Sequence, residues 1–244
     1  MNPVLFLTAC INPKGMVNTA IQNVNIRRKQ YYEALKYYIY NTDYRIVFVD
    51  NSGYDISPDF IKYINEGRLE VITIDNNNFN KKLGKGYGEG LIIYHGILNS
   101  KFINKDSIII KVTGRHIIKN INAIYSMTKT ASNSKSFVCC DINNKSKSGI
   151  SDCFIATYNF FVLFATKYIT LINESNNIWF EHALYKAIID FCKNNEFIFL
   201  PLPLNQEGCS GSTGEKFSRP SISRYLKHII KYILYYFGLI KLSH

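Results

Sequence analysis

No two cysteines in this chain are spaced as Cys-x-x-Cys, and no cysteine–histidine set has zinc-finger spacing, which excludes a structural zinc module. The six cysteines present (Cys10, Cys139, Cys140, Cys153, Cys192, Cys209) offer no disulfide framework, because two are adjacent and three lie within or beside apolar runs. That setting is typical of reduced, buried thiols. Ahead of the apolar run Val4–Ala9 there is no basic stretch, so the run reads as a first core strand and the protein as cytoplasmic. There is no internal repeat and no recognisable nucleic-acid module. Carboxylates are scarce: 18 Asp and Glu stand against 29 Lys and Arg, a formal charge of +11. Such an excess calls for an anionic partner, whether nucleic acid, acidic membrane or a phosphorylated small molecule.

What is present suits one folded domain. The 244 residues are 47% apolar and 14% aromatic, ample for a sizeable core. Val4–Ala9, Arg45–Val49, Leu69–Ile74 and Ile108–Val112 read as strands, with Phe137–Asp141, Cys153–Thr157 and Phe197–Leu200 as later, shorter ones. Helical periodicity fills the gaps near 21–40, 57–66, 84–98, 120–130, 160–172 and 179–193. Strands alternating with helices predict an α/β domain with a mostly parallel central sheet covered on both faces.

Four constellations could carry chemistry. Asp50 ends a strand, where a carboxylate can accept from a nucleobase or ribose; an Asx-turn with Ser52 explains it equally well. Gly84-Lys85-Gly86-Tyr87-Gly88-Glu89-Gly90 opens a helix, and a glycine-rich helix N-terminus favours phosphate. It is neither a Walker A sequence nor a Rossmann fingerprint, and a plain flexible loop is the competing reading. Lys111 and Arg115 bracket the end of a buried strand, where a diphosphate could be held by cations instead of a metal. An ordinary ion pair or solvated edge is the alternative. Glu181 begins a late helix in Trp179-Phe180-Glu181-His182; it is either a general base or a carboxylate favoured by the helix dipole.

After the loop Gly208–Gly214 comes a basic amphipathic helix, from about Ile222 to Leu242. Arg224, Lys227, His228 and Lys231 group on one face, with Leu226, Ile229, Ile230, Ile233, Leu234 and Phe237 on the other. It carries too many charges to span a membrane. Peripheral binding to an anionic membrane fits, with Tyr232, Tyr235 and Tyr236 at the headgroup level. Packing on the core or on another subunit is the alternative.

The order of these pieces resembles bacterial GT-A glycosyltransferases that build O-antigen, capsule or lipooligosaccharide. The likeness rests on Leu5–Cys10, Val47–Ser52, Gly84–Glu89, Lys111–Arg115 and Trp179–Glu181, spread over roughly residues 4–190. It implies a GT-A-like, Rossmann-like domain over 1–214 and a membrane-associating helix over 215–244. It implies a nucleotide-sugar donor held by Thr8, Asp50, Asn51, Lys85, Tyr87, Glu89, Lys111, Thr113 and Arg115. Glu181 takes the place of the base that activates an acceptor hydroxyl in inverting members. The acceptor implied is a glycan, commonly lipid-linked, at the inner face of the cytoplasmic membrane.

One departure is informative. Where the family usually has Asp-x-Asp for a divalent metal, this chain has Lys111-Val112-Thr113-Gly114-Arg115, so neither metal nor other cofactor is expected. A sugar nucleotidyltransferase would need a glycine-rich loop with arginine after the first strand, for which Asn12-Pro13-Lys14-Gly15 is a poor substitute. A non-enzymatic nucleic-acid- or membrane-binding protein would account for the charge alone.

Overall fold

The computed structural model describes residues 3–240 and Leu242. Met1, Asn2, Lys241, Ser243 and His244 lie outside the described residues, and with them the outer ends of the 1–214 and 215–244 segments. In chain order the elements are β1 (Val4–Ala9), α1 (Val24–Asn41), β2 (Arg45–Asp50), α2 (Ile61–Asn65), β3 (Leu69–Thr73) and α3 (Lys85–Asn99). Next come β4 (Ile108–Thr113), β5 (Ile117–Ile118), α4 (Ile121–Ala131), β6 (Phe137–Cys140), β7 (Ile142–Asn143) and β8 (Ser148–Gly149). The chain continues through β9 (Cys153–Thr157), α5 (Tyr158–Leu163), α6 (Phe180–Phe191), β10 (Glu196–Phe199), β11 (Gln206–Glu207) and α7 (Ile222–Tyr236).

Seven strands form one sheet in the order β10-β6-β9-β4-β1-β2-β3. All neighbours are parallel except those of β9, which runs against both β4 and β6. The period-2 alternation of a strand sends successive side chains to opposite faces, and here both faces are dry. Val4, Phe6, Val47, Val49 and Ile109 pack towards α3, α5 and α6. Leu5, Leu7, Ile46, Phe48 and Ile110 pack towards α1 and α4. That double burial is why the strands read as unbroken apolar runs, and the expected mostly parallel α/β sheet is what forms.

The departures are local. The Lys/Ser/Asn loop between the later strands contains the hairpin β7–β8, whose turn is held by Asn143 Oδ1 accepting from Lys145 N at 3.0 Å. The tract 160–172 is helical as expected, but its winding changes after α5: a wider π-type turn over Phe164–Tyr168 is followed by a tight 3-10 turn over Ile169–Leu171. The loop 208–214 is a structured turn that folds back: Ser210 N donates to Glu215 O at 2.8 Å and Phe217 N to Gly208 O at 3.0 Å. The 214/215 boundary therefore falls inside one hydrogen-bonded unit.

Helix α7 starts at Ser221, whose hydroxyl accepts from Arg224 N at 3.3 Å, an ordinary N-cap. Of the four basic residues expected on one face, Arg224 and Lys227 are exposed while the other two are engaged by the fold. His228 and Lys231 turn inward, His228 Nε2 meeting Leu200 O at 2.8 Å and Lys231 meeting Asp141 at 3.4 Å. Tyr235 stacks on Phe199 with centroids 4.9 Å apart. The helix thus packs on the sheet edge at β10, as the alternative reading had it, while Leu226, Ile230, Ile233 and Phe237 face outward and are exposed. No helix among the described residues is long and apolar enough to cross a membrane.

Candidate active site

The parallel strands β1, β2 and β4 end together, and a cleft of about 300 Å³ opens over their C-terminal ends. This is the position at which open α/β sheets place ligands, because loops diverge there and leave a crevice. β1 contributes Thr8 and β4 contributes Thr113, in register with each other. Asn51 follows β2, Glu89 comes from α3, and Glu181 comes from the first turn of α6. The turn at 210–212 covers the cleft, tied down by Ala20 N donating to Gly211 O at 3.0 Å and by Lys85 Nζ donating to Ser212 Oγ.

Thr8, Asn51, Lys85, Glu89, Thr113, Arg115 and Glu181, all expected at the site, line this one cleft. Three others do not. Asp50 is wholly buried, its carboxylate accepting from Ile11 N at 2.8 Å and from both Ser52 N and Ser52 Oγ at 2.7 Å. It holds the loop after β1 against the turn after β2, which is the Asx-turn reading, and it has no surface open to the cleft. Burial pushes its pKa up, and the hydrogen bonds from Ser52, Ile11 and Tyr54 oppose the rise.

Lys111, expected at the diphosphate, does not line the cleft. Its ammonium is fully buried, ion-paired with Glu89 and flanked by the rings of Phe154 and Phe180 at 5.9 and 5.5 Å. It also donates to Thr113 Oγ1 at 3.3 Å and to Ser151 O at 2.5 Å. A residue on the strand must point to one sheet face or the other, and Lys111 points into the layer beneath α3 and α6. Tyr87, the third, packs edge-on against Phe79 outside the cleft.

The glycine-rich segment also has a different role. Gly84 has φ +87°, and a Cβ there would overlap the Glu174 carboxylate. Glu174 Oε1 accepts from Gly86 N at 2.8 Å, so a protein carboxylate already occupies the positive end of α3. These glycines serve close packing, and the cation they bring to the cleft is Lys85, which makes no ion pair among the described residues.

Arg115 is the cation that does face the cleft from the β4 end. It is 8% exposed and donates through Nη1 to Cys209 O at 2.6 Å. Burial lowers its pKa, with Tyr31 and Asp152 among the groups opposing that shift; a guanidinium remains charged regardless. Sequence reasoning missed several neighbours. Arg27 donates to Cys10 O at 2.8 Å and braces the end of β1. His116 meets Asp152 at 3.1 Å, and its Nε2 meets Cys209 O at the same distance. Ser151 Oγ donates to Glu181 Oε1 at 2.6 Å. The only signals for these were a polar pair, Ser151-Asp152, just before a buried strand, and a histidine directly after Arg115.

Three carboxylates line the cleft, and their partners differ. Glu89 is paired with Lys111 and Asp152 with His116. For Asp152 burial works against ionisation, but the hydrogen bond and charge of His116, with Lys111 behind it, prevail and lower its pKa. Among the described residues, Glu181 is the one of the three with no cation within ion-pair distance, its partner being the Ser151 hydroxyl. Cys10 also lines the cleft, and burial pushes its thiol up to about 11, so it stays protonated and un-nucleophilic. No group of three or more His, Cys, Asp or Glu side chains among the described residues could hold a metal ion.

No family model and no curated protein matches the sequence. Several solved structures share its general layout. A Bacillus anthracis protein assigned as a glucose-1-phosphate thymidylyltransferase, in complex with a sucrose, is 9% identical with a TM-score of 0.44, over 95% of this chain and 94% of that one. S. aureus TarS 1–349 is 13% identical with a TM-score of 0.45, over 96% of this chain and 66% of that one. The galactosyltransferase LgtC, in complex with donor and acceptor sugar analogs, is 7% identical with a TM-score of 0.43, over 76% of this chain and 70% of that one. Likeness at this level extends to the α/β layout alone, and the chemistry of the cleft comes from its own side chains.

Proposed function

We propose that the protein is a glycosyltransferase that moves a sugar from a nucleotide-sugar donor to a lipid-linked glycan acceptor in bacterial surface polysaccharide synthesis, with inversion and without a metal. The observation that carries this reading is the convergence of a buried arginine, Arg115, and an uncompensated carboxylate, Glu181, on one cleft over the ends of parallel strands. Glycosyl transfer needs those two kinds of group. Negative charge develops on the departing diphosphate, and preorganised cations in a dry site stabilise it. A proton must leave the incoming hydroxyl, and a carboxylate within reach accepts it.

In this reading Arg115 and Lys85 receive the diphosphate. Thr8, Thr113 and Asn51 line the nucleotide side, and Asn51 Oδ1 is a buried acceptor without a partner among the described residues, suited to a base N–H or a ribose hydroxyl. Glu181 is the base, and Ser151 fixes its rotamer. The acceptor oxygen attacks the anomeric carbon, the bond to the diphosphate breaks, and Glu181 keeps the proton. A single displacement of this kind inverts the anomeric centre.

GT-A folds commonly use a divalent metal at the β4 end, and the residues here do not fit one. Metal sites of that type want free carboxylate oxygens, whereas Lys111 occupies the strand, Glu89 is bound to it and Asp152 is bound to His116. Assay of the purified protein with a panel of nucleotide sugars and a membrane extract as acceptor tests the reading. Transfer is expected to persist in EDTA. Loss in EDTA with recovery in Mn²⁺ would refute the metal-free mechanism, and no turnover of any donor would sink the transferase reading itself.

A further inference from the structure

Glu174 is a buried carboxylate that the proposed mechanism does not use. It is 8% exposed, and no cation lies within 4.0 Å of it among the described residues. Burying a carboxylate without a cation is costly, and a helix N-terminus offsets only part of that cost. Its Oε1 accepts from Gly86 N at 2.8 Å, at the start of α3, and its Oε2 accepts from Asn18 Nδ2 at 3.2 Å, in the loop after β1. A closed turn presents the carboxylate: Asn173 N donates to Ile178 O at 2.9 Å and Ile178 N to Asn173 O at 3.0 Å. Helix α6, which carries Glu181, follows directly, and its Phe180 Cβ lies 3.0 Å from where a Gly86 Cβ would stand.

Both partners of Glu174 flank Lys85. Gly86 is its neighbour in the chain, and Asn18 O accepts from Lys85 Nζ at 3.3 Å. Asn18 is exposed and left-handed, with φ +55°, and the bond to Glu174 is the one hydrogen bond its side chain makes among the described residues. A lysine ammonium on its long flexible stem goes where its tethers hold it. Here they hold it beside the arginine: Lys85 Nζ lies 3.7 Å, and Arg115 Nη2 2.7 Å, from the point that a Gly211 Cβ would occupy. Two cations this close together can share the oxygens of one diphosphate.

We propose that Glu174 is a positioning residue: by clamping Asn18 to the start of α3 it sets Lys85 beside Arg115, and so fixes the affinity of the cleft for a diphosphate. The inference rests on the reading that these two cations receive a diphosphate, and not on sugar transfer itself.

Calorimetry with inorganic pyrophosphate on the full chain, run as a double-mutant cycle, tests it. Lys85→Ala is expected to weaken binding at least ~10-fold. Glu174→Ala should weaken it roughly 5-fold, and the two together should be no weaker than Lys85→Ala alone. Loss of a negative charge near an anion would by itself tighten binding, so a weaker Glu174→Ala reports lost geometry. Glu174→Gln can still accept from Gly86 N and pair with a turned Asn18 amide, and it should bind at least as tightly as wild type. Asn18→Gly suits the left-handed backbone and removes only the link to Glu174, so it should weaken binding about 3-fold even if Glu174→Ala fails to fold.

Losses that add in the double variant would overturn the proposal, as would Glu174→Gln binding as weakly as Glu174→Ala, or unchanged binding in Asn18→Gly. Wild-type protein that takes up no pyrophosphate would overturn the diphosphate seat and the role of Glu174 with it. The expected cycle in a protein that turns over no nucleotide sugar would instead count against the transferase reading alone.

Discussion

Lys111 on β4 and Glu89 on α3 form an ion pair in which the ammonium is wholly buried and the carboxylate reaches the cleft edge. Removing one member of such a pair leaves the other charge uncompensated, which costs about 3–5 kcal/mol. Lys111→Met is therefore expected to lower Tm by roughly 6–20 °C, taking about 2–4 °C per kcal/mol for a domain of this size. Adding Glu89→Leu should restore much of the loss. The remaining folded protein should bind nucleotide as before. Thermal melts and nucleotide titration separate the two roles: an unchanged Tm with tenfold weaker nucleotide would return Lys111 to the diphosphate.

That pair also shows where the sequence was legible and where it was not. The strands β1, β4 and β9 could be read almost to the residue, because both sheet faces are buried and their apolar runs end sharply. Thr8, Asn51 and Thr113, implied by the resemblance, and Arg115 lie at the ends of adjacent parallel strands and line the cleft. The direction of Lys111 could not be read. Apolar neighbours on both sides remove the alternation that would assign its face, and its partner lies 22 residues earlier in another element. Asp152 and Ser151 were hidden likewise, because only the antiparallel pairing of β9 with β4 brings them beside Thr113.

Glu181 and Ser151 make a pair of predictions with different sizes. Glu181→Gln keeps the shape and removes the base, so turnover should fall by at least ~10²-fold with little change in donor KM. Ser151→Ala removes only the 2.6 Å hydrogen bond that orients the carboxylate, and a loss of roughly 3–30-fold is expected, equivalent to about 0.6–2 kcal/mol. Steady-state kinetics on both variants decides the roles. Near-normal rates for Glu181→Gln would remove it from the mechanism.

His116 and Asp152 give the site a pH signature in stability. The pKa of Asp152 is lowered in the folded protein, because the hydrogen bond and charge of His116 outweigh burial. A carboxylate depressed on folding contributes stability above its unfolded value of 3.8, and that contribution is lost as pH falls through the folded value. Asp152→Asn should accordingly destabilise at pH 7, by about 1.5–3 kcal/mol for a charge-assisted bond. Denaturant titrations should show the difference from wild type shrinking once the pH drops below 3.8. A difference that grows in acid would mean that the charge of Asp152 is unfavourable in the fold.

Helix α7 sorts its cations into two kinds, and membrane affinity should follow the sorting. Lys231 is committed to Asp141 and to Ile142 O, so its charge is already used within the fold. Arg224 and Lys227 are exposed and make no ion pair among the described residues. Each basic residue near an anionic surface contributes about 1 kcal/mol, so Arg224→Ala with Lys227→Ala should weaken binding to phosphatidylglycerol vesicles roughly 30-fold. Ile230→Glu with Phe237→Glu should abolish it, since both side chains would carry charge into the acyl boundary. All four side chains are exposed, so the melting temperature should hold. Vesicle co-sedimentation reads both effects, and added salt should reproduce the first without the second. Equal binding to neutral phosphatidylcholine would show that the apolar face acts without the charges, and binding to neither vesicle would leave the exposed face for a protein partner.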